Sequence, residues 1–282
     1  MKKRKPKNNR IELNNDGTLS IFTVGCGSAF AKTLSQNNVL LIKGNTHVLV
    51  DCGTKTPGIL FHHAIPITDI TNFIITHSHA DHIGGLEEAM LMSRYVARKK
   101  PNIVITPEYQ KLLWNQSLRG GCEQNERHDG TPLSFEDFWE PLRPAAVRGS
   151  SRITHEIQLG ELNLKFFRTR HFPEQAQSWK DSAYSVGLVI DDRILYTGDT
   201  QYDPDLINSL HKQFSFEAIF HDVQFFNGGI HASLDEISNF SPEIKERMLL
   251  MHYGDAWQSY EQTAADRGFA GFATEHRYYD FP

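Results

Sequence analysis

Short, nearly uninterrupted apolar runs rich in β-branched residues recur along the chain, and segments with helical spacing lie between them. Residues 19–24, 39–43 and 47–50 read as successive strands, with turns at Gly44-Asn45 and Asp51-Cys52-Gly53. Pro57 opens a short helical stretch over 58–64, at the position where a helix tolerates proline. Residues 70–76 form a buried strand. Leu86, Met90, Leu91 and the Tyr95-Val96 pair then fall at helical spacing over 86–98, with basic residues towards the end. In the second half, strands are predicted at 162–169, 184–190, 193–197, 218–220 and 248–251, and helices at 204–210, 234–240 and 257–267. Mixed strand pairs with helices outside predict an α/β fold of two sheets covered by helices. Residues 108–148 read as a partly helical insertion.

The chain's 282 residues, 39% hydrophobic and 22% charged, have an ordinary globular composition. Composition therefore excludes collagen-like, fully disordered and disulfide-stapled classes. Charge adds more. Residues 1–10 carry six basic side chains (Lys2, Lys3, Arg4, Lys5, Lys7, Arg10) and no acid. Removing those six from 29 leaves 23 basic residues against 34 acidic, a charge of -11 for the body. The expected organisation is a flexible basic arm over 1–15, followed by one domain over 16–282. No apolar run reaches the roughly 18–20 residues of a membrane span, and no apolar core follows the basic start as in a secretory signal. Cys26, Cys52 and Cys122 are odd in number and show no C-x-x-C spacing, which predicts free thiols and a cytoplasmic protein.

The chemistry concentrates in T-H-S-H-A-D-H, residues 76–82, between a buried strand and a Gly84-Gly85 turn. His77, His79, Asp81 and His82 put four potential ligands within six residues, and imidazole with carboxylate suits zinc and similar first-row ions. On an extended segment His77 and His79 point the same way. Asp81 and His82 lie past the bend and can face a second ion.

This His-x-His-x-Asp-His pattern resembles the signature of the metallo-β-lactamase fold hydrolases, whose architecture is an αββα sandwich. Later stations match in order: His171 the third metal-site histidine, Asp199 in Y-T-G-D-T the bridging aspartate, and His252 the final histidine. The resemblance implies that His77, His79 and His171 hold one divalent ion, Asp81, His82 and His252 a second, and Asp199 both. The ions would be two Zn²⁺, with Mn²⁺ or Fe²⁺ also compatible. Such a pair can share a water, lower its pKa and clamp a substrate oxygen. His at 82 and Asp at 199 depart from the true lactamases, and the chain has no room for a flavodoxin domain.

Between Asp199 and His252, the segments H-D-V-Q-F-F (221–226) and G-I-H-A-S-L-D-E-I (229–237) look like the tRNase Z-related phosphodiesterases of this superfamily. In that likeness His231 protonates the leaving oxygen and Asp222 orients it. The alternative is that His231 caps the helix starting near Ser233 while Asp222 satisfies a turn. His221 reads as filler. Asp81 is also a candidate for orienting the attacking water. G-C-G-S-A-F (25–30) with Gln36-Asn37-Asn38 resembles the opening of the same branch, where glycines would bring backbone N–H groups towards an anion.

Only 27 residues separate the His171 and Asp199 stations, with no basic, glycine-rich arm of the kind that grips tRNA. A body at -11 also suits a long polyanion poorly. The pattern, including W-N-Q-S-L-R-G-G and L-L-M-H-Y-G-D, looks closest to the anti-Pycsar cyclic-nucleotide phosphodiesterases. These destroy 3′,5′-cyclic pyrimidine signals and so evade anti-phage defence. The expected reaction is hydrolysis of small or cyclic nucleotides by a metal-bridging hydroxide, with Phe30, Trp179 and Phe225 as candidates to stack a base. The resemblance also implies a homodimer. The rivals are a tRNA 3′-processing endonuclease that uses the basic arm, a thiolester or lactone hydrolase, and a non-catalytic nucleotide binder.

Overall fold

A computed structural model describes residues 1–150 and 152–282, which form two compact units. One comprises residues 2–24, 38–144 and 276–282. Its strands are β1 (Lys2–Arg4), β2 (Leu19–Gly25), β3 (Asn38–Lys43), β4 (Thr46–Val50), β5 (Asn72–Ile74), β6 (Asn102–Val104), β9 (Glu140–Leu142) and β18 (Tyr278–Phe281). They make one sheet in the order β1-β18-β2-β3-β4-β5-β6-β9, while β7 (Arg127–His128) and β8 (Thr131–Pro132) pair only with each other. A two-residue turn, Gly44-Asn45, joins β3 to β4, and Gly44 takes φ +57° there. β4, β5, β6 and β9 run parallel, so the C-terminal ends of β4 and β5 lie at the same sheet edge. Helices α1 (Thr56–His62), α2 (Ala80–Ile83), α3 (Leu86–Leu91), α4 (Pro107–Leu113) and α5 (Arg119–Cys122) belong to this unit.

The second unit comprises residues 25–37 and 145–275, with Met1. Its sheet runs in chain order: β10 (Ala145–Ala146), β11 (Thr154–Leu159), β12 (Leu162–Arg168), β13 (Val186–Ile190), β14 (Ile194–Tyr196), β15 (Ala218–Asp222), β16 (Met248–Met251) and β17 (Gly271–Phe272). β12, β13 and β14 are successive antiparallel neighbours, and β14 to β17 are parallel. β12, β14, β15 and β16 therefore all point their C-terminal ends to one edge. Helix α6 (Pro204–Phe214) crosses from β14 to β15, and α7 (Leu234–Ile237) and α8 (Pro242–Lys245) lie between β15 and β16. α9 (Glu261–Asp266) follows β16. β2, β13, β15 and β16 are buried at every position. An apolar run without alternation is what strands covered on both faces require.

One expectation is corrected. Residues 2–4, expected within a flexible arm, are a strand paired antiparallel with β18, Lys2 opposite Asp280 and Arg4 opposite Tyr278. The cause is local: the Arg4 guanidinium lies 3.8 Å from the Tyr278 ring centroid, and its Nε donates to Asp280 at 2.7 Å. Ile11, a few residues on, is also buried. Replacing Arg4 by Ala is expected to cost about 1 kcal/mol. Denaturant titration reads this directly, and an unchanged midpoint would show that β1 adds nothing to the fold. The 108–148 insertion, in turn, contributes to both sheets, because its last residues form β9 and β10.

The three cysteines are buried free thiols, and burial pushes the Cys122 thiol up to about 11. His276 stands in the left-handed region at φ +56° with its ring 4.7 Å from that of His63. Burial, with the His63 ring and Arg277 adding repulsion, pushes it down to about 4. A histidine depressed in the fold binds its proton more tightly when unfolded. Stability is therefore expected to be full above its ordinary 6.5 and to fall as pH drops from 6.5 towards about 4. The His276→Asn variant, which tolerates the same backbone, should flatten that slope in denaturation midpoints measured across the range. An identical slope would assign it to other groups.

Candidate metal centre and its histidine–aspartate pair

In the first unit the T-H-S-H-A-D-H segment leaves β5 and enters α2. His77 and His82 are fully buried, and Asp81 is nearly so. His77 Nε2 and His79 Nδ1 approach to 2.9 Å, so the two rings converge on one point, as the alternation predicts. Two nitrogens on one tetrahedral zinc stand about 3.3 Å apart, close to this spacing. His82 Nε2 lies 3.2 Å from Asp81 Oδ2, and the His77 and His82 rings are 4.0 Å apart.

Asp51, read in the sequence only as part of a turn, anchors this half. It follows β4 at φ +64° and is fully buried. Its Oδ2 accepts from His82 Nδ1 at 2.7 Å, and its two oxygens take the Thr76 N–H and hydroxyl, each at 2.8 Å. Burial raises the Asp51 carboxyl, while the His82 ring and the Thr76 donors pull it back. With Nδ1 engaged, Nε2 is the nitrogen that His82 would offer a metal, as a carboxylate behind a metal histidine usually arranges. Asn38 plays a second supporting part: its Nδ2 donates to the Asp81 carbonyl at 3.1 Å, and its Oδ1 accepts from Gly53 N at 2.7 Å. The sequence signal for Asp51 was a carboxylate ending an apolar strand, V-L-V-D.

In the second unit the candidate donors sit at the common edge of β12, β14, β15 and β16. His171 follows β12, Asp199 follows β14, Asp222 ends β15, and His252 follows β16. Asp199 Oδ2 lies 3.3 Å from His252 Nε2 and 3.7 Å from His171 Nε2, all three buried. His171 Nδ1 faces the Ile230 carbonyl at 2.8 Å, so Nε2 is the nitrogen it would offer a metal. His252 holds φ +57°, a strained conformation for a side chain of its size.

His231 Nδ1 meets Asp222 Oδ2 at 2.9 Å. Its ring stacks 4.4 Å from that of His252 and lies 4.9 Å from that of His171. Asp199, Asp222 and His231 offer donor atoms within 4.8 Å of one another. Asp222 is fully buried. Burial opposes its charge, yet hydrogen bonds from His221 and His231 hold its carboxyl below the usual range. His221 is thus more than filler, since its Nδ1 meets the Asp222 backbone carbonyl at 2.7 Å and stands 3.3 Å from Oδ1. The cap of α7 is Ser233, whose hydroxyl accepts from Glu236 N, so His231 is not spent on that helix.

The glycines of G-C-G-S have a different role from the one expected. A Cβ at Gly25 would stand 2.1 Å from the Gln36 carbonyl oxygen, and one at Gly27 would stand 2.6 Å from Leu34 Cβ. Gly27 N donates to Ser35 O at 2.7 Å and Ser28 N to Tyr253 O at 3.0 Å. These N–H groups close a loop against the segment after His252. Of the proposed base-stacking residues, Phe225 is stacked on Tyr260 at 4.0 Å and Trp179 lies near the Arg152 and Lys180 cations, while Phe30 is 84% exposed.

The His and Asp groups fit a divalent-metal site in donor type and burial. A sequence profile of the family described as Anti-Pycsar protein Apyc1 matches residues 19–279. The chain belongs to this family. An Apyc1 protein of Bacillus phage BSP38 is 36% identical over 248 residues, covering 86% of this chain and 92% of the relative. One from Paenibacillus sp. (strain J14) is 31% identical over 252 residues, covering 89% and 96%. Among solved structures, YhfI of Bacillus subtilis, a metallo-β-lactamase fold protein, superposes with a TM-score of 0.68 at 16% identity, covering 94% of this chain and all of its own. The short form of human tRNase Z gives 0.61 at 17% identity, covering 93% and 99%. The chain thus has the metallo-β-lactamase fold. Among the described residues, no helix is long and apolar enough to cross a membrane.

Proposed function

We propose that this protein is a metal-dependent phosphodiesterase that opens small or cyclic nucleotides, with 3′,5′-cyclic nucleotides as the preferred class. The observation that carries the reading is the His231–Asp222 pair at 2.9 Å beside the Asp199, His171 and His252 donors. Hydrolysis of a thiolester releases a thiolate that departs without a proton, whereas a ribose alkoxide leaving from phosphorus needs one. Membership of a family whose relatives are called anti-Pycsar proteins supports the same class.

The ligands proposed are His77, His79 and His171 for one ion, Asp81, His82 and His252 for the other, with Asp199 shared. Zn²⁺ matches the donors best. When bound, divalent ions supply Lewis acidity and a water activated near neutral pH. Asp81, grouped with His82 and His252, would also orient that water. His231 delivers the Nε2 proton to the departing oxygen, and Asp222 fixes the ring so that Nδ1 faces away from the reaction. We further propose a homodimer acting in the cytoplasm on a small nucleotide. The -11 body disfavours long nucleic acid, and β1 takes up part of the basic terminus that RNA would need.

The test is purified protein with 3′,5′-cyclic nucleotides, an unprocessed tRNA and a thiolester, each with and without chelator. Chelator-sensitive turnover of the cyclic nucleotides is expected. Turnover of the thiolester alone would overturn the reading.

A further inference from the structure

The chain from Gln224 to Ser233 leaves β15 and returns beside it. Leu234 N donates to Gln224 O at 3.0 Å and Gln224 N to Ala232 O at 2.9 Å, so both ends of the excursion are tied together. Its interior is also fixed. The Gln224 amide donates to the Phe226 carbonyl at 2.9 Å and also to that of Gly228. Gly229 N donates to Glu174 Oε1 at 2.8 Å, and the Ile230 carbonyl faces His171 Nδ1. Gly228 and Gly229 take φ +83° and +89°, which lets the chain double back within four residues.

This braced loop presents Phe226 to solvent at 66% exposure, whereas its neighbour Phe225 is stacked on Tyr260. The Phe226 ring folds back over the glycines: its Cε2 would stand 3.6 Å from a Cβ at Gly229, two residues before His231. A large apolar ring kept in water by at least four hydrogen bonds, on the loop that delivers the proposed leaving-group acid, gains nothing for the fold. A planar heteroaromatic ligand would cover it.

We infer that Phe226 is the stacking platform for the nucleobase of the substrate. This rests on the phosphodiesterase reading for the identity of the ligand and deepens it by assigning the base a place. Stacking on a lone ring tolerates any base. Recognition at this position therefore selects nucleotides over other phosphodiesters and does not distinguish purine from pyrimidine.

The test uses calorimetric titration of the metal-loaded protein with AMP, CMP and ribose 5-phosphate, for the parent and for the Phe226→Ala and Phe226→Tyr variants. Loss of one stacked base weakens nucleotide binding by about 10- to 100-fold. The expected result is that loss for both nucleotides in Phe226→Ala, unchanged ribose 5-phosphate affinity, and near-parent values for Phe226→Tyr. Equal loss for all three ligands, no loss for any, or a parent that binds no nucleotide would each overturn the inference. So would a drop in solution mass of Phe226→Ala, which would make the ring a contact between copies. A parent that binds nucleotides through Phe226 yet hydrolyses no phosphodiester would leave the stacking role standing and remove the phosphodiesterase reading alone.

Discussion

An Asp199→Asn variant is expected to lose divalent metal and to lose turnover of cyclic nucleotides by on the order of 10³-fold or more. Asp199 is almost fully buried, and one of its oxygens lies 3.3 Å from His252 Nε2 and 3.7 Å from His171 Nε2. A carboxylate withdrawn from water is costly unless a cation compensates it. The amide keeps the shape and removes the charge that attracts the cation, so the lesion falls on metal affinity more than on packing. Elemental analysis of purified parent and variant measures the first effect and steady-state hydrolysis the second. Chelation of the parent should reproduce the loss, and added Zn²⁺ or Mn²⁺ should restore the parent and not the variant. A variant that retains full activity without bound metal would show that the reaction needs no divalent ion.

The sequence made the first half of this site unusually legible, because T-H-S-H-A-D-H compresses four donors into one strand end and one helical turn. His171, Asp199 and His252 were reached only through a resemblance, since nothing local distinguishes a histidine after a strand. Parallel pairing of β14, β15 and β16 supplies what the local sequence lacks, bringing chain segments about 20 to 30 residues apart to the same edge. The supporting residues were the least visible. Asp51 and His252 depend on φ values of +64° and +57°, and although Asp and His enter that region more readily than most residues, nothing in the local sequence marks which of them does so. His221 reads as one more residue of an apolar strand until its Nδ1 is seen beside the Asp222 carboxylate.

Most of the fold was visible for the opposite reason. Strands such as β3, β4 and β16 are apolar runs bounded by turn residues, and the parallel pairing of β14, β15 and β16 accords with the helices between them. β1 and β11 escaped because neither is apolar. Lys2–Arg4 is held by pairing with β18 and by Arg4 on Tyr278, and Thr154–Leu159 is only half-buried. A charge count sends K-K-R to solvent, where Lys2 and Lys3 do stay, and only the partner strand makes the segment a strand. The same pairing weakens the case for an RNA-gripping arm, since Arg4 is already committed to Asp280.

Replacement of His231 by Ala is expected to slow hydrolysis of cyclic nucleotides by on the order of 10²- to 10⁴-fold while leaving metal content unchanged. The leaving group of a cyclic nucleotide is a ribose alkoxide, far too basic to depart without a proton, so its loss should track the acid that supplies one. A p-nitrophenolate departs unaided near neutral pH. The same variant should therefore hydrolyse bis(p-nitrophenyl) phosphate at close to the parent rate. Asp222→Asn separates positioning from proton supply. The ring remains, but the acceptor that holds Nδ1 at 2.9 Å is weakened, so the loss should be smaller than for His231→Ala and again confined to the poor leaving group. Equal losses on both substrates would place His231 in binding or folding instead of at the leaving oxygen. Loss of metal in the variant would place it among the ligands, where its 4.0 Å separation from Asp199 Oδ2 keeps it within reach.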